Sequence, residues 1–245
     1  MSISKSLRLV AVAALAASGV SAQTLQNVTG AAFYAPSIGN FSTLGTDVFG
    51  MLVTGRFSDG QVFSANWGSL SGGLTGVSFA GRFSLTIGGT TNTFGNPFSL
   101  TVFGTGNTLQ TLTLSGSSGP VVFDRTFGGA TGTLNSASGS DFTYYQTDSW
   151  NTLVTYTNSV QLVGSTGPIG DLWETIIINF QSGLTGTNAG RLIRFSQDVD
   201  NVITGGLLIP VPEPDAHLLL AAGLSLTLVL MRRRRFEGTL ASARR

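Results

Sequence analysis

The sequence predicts an all-β fold, an antiparallel β-sandwich or barrel-like body of roughly eight to twelve strands. Short runs rich in Val, Ile, Phe, Tyr and Thr recur throughout residues 23–209, the side chains that suit a pleated, half-buried surface. Clusters of Gly, Ser, Thr and Asn separate these runs and read as turns. No stretch of this span repeats apolar residues at helical spacing over an adequate length. The two ends differ from the body: the N-terminus predicts a helical signal peptide and the C-terminus a single short transmembrane helix.

Residues 1–22 open with Lys5 and Arg8, continue through the apolar stretch Leu9–Ala17, and close on the small-residue pattern Val20-Ser21-Ala22. A basic start, a short apolar run and a small-residue end define an export leader. Cleavage after Ala22 leaves Gln23 as the first mature residue. Within the body, Met51–Phe57 and Val62–Trp67 flank Ser58-Asp59-Gly60-Gln61, and the Asp-Gly pair predicts a hairpin. Val77–Ile87 alternates, with Phe79, Gly81, Phe83, Leu85 and Ile87 on one face, and is expected to form one half-buried strand. Further strands are expected at Phe98–Phe103, Thr108–Leu114, Val121–Asp124 and Asp141–Tyr145. Leu153–Tyr156, Val160–Leu162, Leu172–Phe180 and Leu192–Phe195 complete the set. The phenylalanines are assigned to the core. No fixed-period repeat argues for a solenoid.

Composition removes several kinds of chemistry. The chain has no cysteine, so disulfides, thiolate metal sites and cysteine nucleophiles are excluded. Between Gln23 and Pro210 there are nine acids and five arginines, a net charge of −4. Such a body has no basic footprint for a phosphate backbone, and nucleic acid is not expected as a partner. The single histidine, His217, lies in the C-terminal segment, so the body holds no histidine-based triad or general base. No cofactor is expected.

Three candidate constellations remain. Carboxylate pairs can hydrolyse glycosidic bonds, and Asp171 with Glu174 or Asp141 with Asp148 are the pairs available; three positions apart on a strand, the first pair should point to opposite faces. No catalytic residue is assigned. Asp198-Val199-Asp200-Asn201 is the most concentrated set of oxygen ligands, and Asp198, Asp200 and Asn201 are the candidates for a hard cation such as Ca²⁺. The run lacks EF-hand spacing, and these residues are expected to solvate a turn just after the Leu192–Phe195 strand, without a metal. Exposure of Trp67, Trp150 or Trp173 on a flat face would point to carbohydrate binding.

The C-terminal segment has its own pattern. Ile209-Pro210-Val211-Pro212-Glu213-Pro214 sets three prolines at alternate positions, which stiffens and extends the chain. Leu218–Met231 is an apolar run of 14 residues extended outward by Ala216 and His217, and Arg232–Arg235 follow it. At about 1.5 Å per residue the run falls short of a ~30 Å hydrocarbon core, so it suits a thin membrane with the arginines reaching back to headgroups. Those arginines stay cytoplasmic and put the body outside, in agreement with the leader.

Val211, Pro212, Glu213 and Pro214, followed by a short apolar helix and the cluster Arg232, Arg233, Arg234 and Arg235, resemble the PEP-CTERM sorting signal of Gram-negative bacteria. The resemblance covers about 25 residues, and Phe236–Arg245 continue beyond the point where the signal usually ends. Val121-Val122-Phe123-Asp124, with the Gly/Thr-rich stretch running to Ser138-Gly139, is loosely similar to bodies of other PEP-CTERM proteins. The resemblance implies the Sec translocon, signal peptidase and an exosortase as successive partners. It also implies transient residence in the inner membrane, cleavage near the PEP motif, and release to the cell surface or an exopolysaccharide matrix.

The domain organisation expected is therefore a leader at 1–22, a secreted all-β domain at 23–209, a sorting segment at 210–236 with a membrane helix at 216–231, and a cytoplasmic tail at 237–245. The expected function is that of a non-enzymatic exported protein with a structural or adhesive role. A carbohydrate-binding module, a carboxylate glycosidase and a permanently anchored membrane protein are the alternatives.

Overall fold

The computed structural model describes residues 23–28, 30–39, 42–125, 139–168 and 171–203. The predicted leader, sorting motif, membrane helix, basic cluster and tail lie outside these residues, as does most of the Gly/Thr-rich stretch after Asp124. Among the described residues no helix is long and apolar enough to cross a membrane, and the one helical element is the short 3₁₀ turn Ser71–Gly73.

The body is all-β, as expected. Its strands are β1 (Gln23–Val28), β2 (Phe33–Ala35), β3 (Ile38–Gly39), β4 (Leu52–Phe57), β5 (Val62–Asn66), β6 (Gly68–Ser69), β7 (Leu74–Phe79) and β8 (Phe83–Gly88). They continue with β9 (Phe98–Val102), β10 (Thr108–Ser115), β11 (Val121–Asp124), β12 (Thr143–Tyr144), β13 (Thr152–Leu162), β14 (Leu172–Thr185), β15 (Arg191–Ser196) and β16 (Asp198–Val202). The larger sheet has ten strands, in the order β3-β16-β11-β14-β10-β4-β5, with β13 also on β14 and with β1 and β2 on β13. The smaller has six, ordered β12-β15-β9-β8-β7-β6. Among the described residues neither sheet closes on itself, so the architecture there is two open sheets and not a barrel.

One core joins the sheets. Val53 and Phe57 of β4, Leu112 and Leu114 of β10 and Ile176 and Ile178 of β14 share it with Phe83 and Leu85 of β8, Leu100 of β9 and Phe195 of β15. One aromatic pair bridges the layers, Phe57 of β4 and Phe83 of β8 with centroids 6.1 Å apart, while Phe142, next to β12, stacks on Phe195 of the smaller sheet at 4.9 Å. Each side chain of this size contributes about 1.5–3 kcal/mol on full burial, which explains how a cysteine-free chain holds its fold. Gly55 of β4 makes room for the facing layer, since a Cβ there would meet the Phe83 ring at 2.5 Å. The chain passes from the larger sheet to the smaller at buried Trp67, between β5 and β6, where Trp67 N donates to the Met51 carbonyl at 2.7 Å.

Several expectations change. The β4–β5 hairpin turns at Asp59-Gly60 as read, with Gly60 at φ 80°. Val77–Ile87 is not one strand: it folds back at Ala80-Gly81-Arg82, with Gly81 at φ 69° and Phe79 opposite Phe83. Paired residues four apart keep the same parity, so the hairpin preserves the alternation that suggested a continuous strand. Leu153–Tyr156 and Val160–Leu162 belong to the single strand β13, with Asn158 at φ 60° inside it. The antiparallel expectation gives way at one edge, where β1 and β2 run parallel to β13 and cover its free side. Exposed and polar, β1 carries little alternation of its own; pairing with that open edge makes it a strand.

The largest correction concerns Asp198–Asn201. These residues do not solvate a turn; they form most of β16, paired on one side with β11 and on the other with β3. Val121 and Phe123 of β11 face the main core, while Val122 joins a second apolar cluster with Ala35, Ile38, Val160, Leu172 and Val202 on the opposite face. Register places Asp198 beside Asp124 and Asp200 beside Val122, on that opposite face.

Candidate functional site

Of the residues of the predicted processing signals, Val211, Pro212, Glu213, Pro214, Arg232–Arg235 and Ala22 lie outside the described residues. Gln23 opens β1, and its Nε2 donates to the Phe142 carbonyl at 2.5 Å.

The oxygen-ligand set is different from the one read in sequence. Asp198 and Asp200 are brought together with Asp124, all three buried, each offering one carboxylate oxygen within 4.8 Å of the others. Asn201 takes no part: it lies opposite Val121, on the face turned toward the main core. Asp124 could not be found in the sequence, because only the β11–β16 register places it beside Asp198. The Asp198 carboxylate accepts from the Val199 backbone N–H at 2.9 Å. Burial first, and then the Asp200 charge, push Asp198 up to about 7. The donor set suits a hard cation, and a proton on Asp198, whose affinity burial and Asp200 both raise, is the other way to relieve its repulsion.

Asp141 and Asp148 are each paired with a different arginine. Arg125 Nε binds Asp141 at 2.6 Å, and its guanidinium lies 4.3 Å from the Tyr156 ring centroid. Asp148 binds Arg194 through both its Nε and its backbone N–H, each at 2.9 Å. Asp171 and Glu174 share no partner. Burial raises Asp171. Glu174 sits in a cage of donors: Asn158 Nδ2 and Ser117 N, each at 2.8 Å, and the hydroxyls of Ser115 and Thr175. Although burial opposes it, these bonds hold the carboxyl below its ordinary value. Strand parity does not settle this pair's geometry, because Trp173 and Ile176 both reach the main core and alternation breaks across Glu174–Thr175.

Two of the three tryptophans are core. Trp67 is 2% and Trp173 7% exposed, so neither offers a stacking face. Trp150 is half-buried and packs on the rim of the main core. Beside it lies an open pocket of about 200 Å³ lined by Thr147, Asp148, Ser149, Trp150, Arg191, Leu192 and Ile193. The turn Thr187–Gly190, with Gly190 at φ 89°, delivers Arg191 to the start of β15. The Arg191 guanidinium lies 5.3 Å from the Trp150 ring centroid. Nothing in the sequence around Arg191 marks it out, for its setting is created by residues of a loop forty positions earlier.

No family model matches the chain, and no curated protein or solved structure matches it. What the fold defines is a class, a two-sheet all-β protein without cysteine.

Proposed function

We propose that this protein is exported through the Sec translocon, matured by signal peptidase after Ala22, and sorted by an exosortase acting on its PEP-CTERM-like segment to the cell surface or an exopolysaccharide matrix, where its β body acts structurally or adhesively. The observation that carries this reading is Val211-Pro212-Glu213-Pro214 followed by an apolar run and Arg232–Arg235, at the opposite end of the chain from a leader ending in Val20-Ser21-Ala22. The body is compatible with it: two sheets share one apolar core, built without cysteine. A non-enzymatic role draws support from Asp141 and Asp148, each neutralised by its own arginine.

The test is the intact mass of the native protein from the secreted and membrane fractions of its host. A form starting at Gln23 and ending near Pro212–Pro214 is expected. A protein found only in membranes and still carrying Leu218–Arg245 overturns the sorting step and leaves an anchored β domain facing outward.

A further inference from the structure

We propose that the pocket beside Trp150 binds an acidic saccharide, with Arg191 receiving the carboxylate of a uronic-acid residue and Thr147 and Ser149 meeting its ring hydroxyls. This goes beyond the export reading and holds whether or not the C-terminal segment is cut.

Three arginines of the body are committed to carboxylates: Arg82 to Asp59, Arg125 to Asp141 and Arg194 to Asp148. Arg191 has no ion-pair partner among the described residues, although it lines a pocket that contains Asp148. Its Nε–H is buried without an acceptor. A desolvated guanidinium donor left unsatisfied is unfavourable, and this guanidinium lies within cation–π range of the Trp150 ring. The terminal nitrogens of Arg191 make no hydrogen bond among the described residues, and a guanidinium can receive a carboxylate through that pair.

The anion is not repelled by Asp148. One of its oxygens already accepts two bonds from Arg194, which offsets its charge. Among the described residues, Arg191 is the one cation of a lining whose one acid, Asp148, is already paired with Arg194. The rest of the lining argues for a sugar and not a bare anion. Thr147 and Ser149 are exposed, and their hydroxyls make no hydrogen bond among the described residues; each can donate and accept, which matches sugar hydroxyls. Leu192, 51% exposed, supplies an apolar wall for the C–H face of a ring. The pocket has the size of one sugar unit and is open, so that neighbouring units of a chain can extend along the surface.

The test is calorimetric titration of the full-length chain in a zwitterionic detergent without a sugar headgroup. The titrants are a tetragalacturonate, maltotetraose as the neutral oligosaccharide of equal length, and acetate as the free carboxylate. The tetragalacturonate is expected to bind, and to bind several-fold more weakly when salt rises from about 20 to about 200 mM. Maltotetraose and acetate are expected to bind at least about tenfold more weakly. Arg191→Gln should reduce affinity about tenfold or more, and Ser149→Ala two- to fivefold, with thermal unfolding unchanged. No binding of the tetragalacturonate overturns the proposal. Equal affinity for maltotetraose removes the role of Arg191, and equal affinity for acetate removes the saccharide. Should Arg191→Gln fail to fold, the Thr147→Ala, Ser149→Ala double variant decides: unchanged affinity there also overturns the site.

Discussion

Glu174 and Asp198 are both nearly inaccessible carboxylates on strands of the larger sheet, 3% and 4% exposed, yet their proton affinities move in opposite directions. Burial pushes each upward. For Glu174, four donors outweigh it: a backbone N–H, an amide and two hydroxyls. Asp198 accepts one backbone bond and faces the carboxylates of Asp124 and Asp200. Burial alone therefore does not decide whether an acid stays ionised; the count of donors against the count of like charges does. The charged Glu174 ties the turn after β10 to β14, since Ser115 and Ser117 both reach it. Asp198 instead lies beside Asp200, whose charge raises its proton affinity, on the face of β16 that carries the small apolar cluster.

The largest effect is expected from Glu174→Gln, which keeps the volume but replaces one acceptor oxygen with a donor amide facing other donors. A loss of about 3 kcal/mol is expected, the scale for disrupting a buried charged network, read from chemical denaturation of the full chain at pH 7. A loss below about 1 kcal/mol would mean that the cage is solvated and the comparison void.

Next in size is the behaviour with pH. Glu174, held below its ordinary 4.5, contributes stability present above that value and lost as pH falls through its lowered folded value. Asp198, raised from 3.8 to about 7, contributes stability fully present below 3.8 and lost as pH rises to about 7. Opposite slopes predict greatest stability near pH 4 to 5, declining toward neutrality. Asp198→Asn keeps the acceptor for Val199 N–H and removes the charge, so it should raise stability at pH 8 by on the order of 2 kcal/mol and leave it nearly unchanged near pH 4. Asp171, raised by burial, leaves a smaller residual slope in that variant. If wild type shows no decline between pH 4 and 7, the cluster is neutralised by something other than a proton, and repeating the scan with a chelator identifies a cation.

The fold class and most strand positions followed from local pattern, because alternation and turn residues are local properties. The β4–β5 hairpin was visible in Asp59-Gly60 for that reason. What escaped were consequences of register. Asp124 and Asp198 become neighbours only when β11 pairs with β16. The cage of Glu174 draws on three separate strands or turns. The short β1, β2 and β3 are strands because of the edges they meet, β13 for two of them and β16 for the third. Asp198-Val199-Asp200-Asn201 looked like a loop because charged residues are rarely placed in a buried strand, and the fold departs from that tendency where Asp198 can take up a proton.

The smallest predicted effect tests the cage from the side of its donors. Asn158 stands at φ 60°, a conformation that asparagine and glycine tolerate better than other residues, and its amide reaches Glu174 at 2.8 Å. Asn158→Gly keeps the backbone and removes that single donor, so a loss of about 1 kcal/mol is expected. Asn158→Ala adds the left-handed strain, about 1 kcal/mol more. The difference between the two variants isolates backbone from bond. Asn158→Gly should also move the acid limb of the pH profile upward, because Glu174 loses one of the bonds that keep it ionised. An acid limb that stays in place while stability falls would assign the effect of Asn158 to β13 alone, and would leave Ser115, Ser117 and Thr175 as the donors that hold the charge.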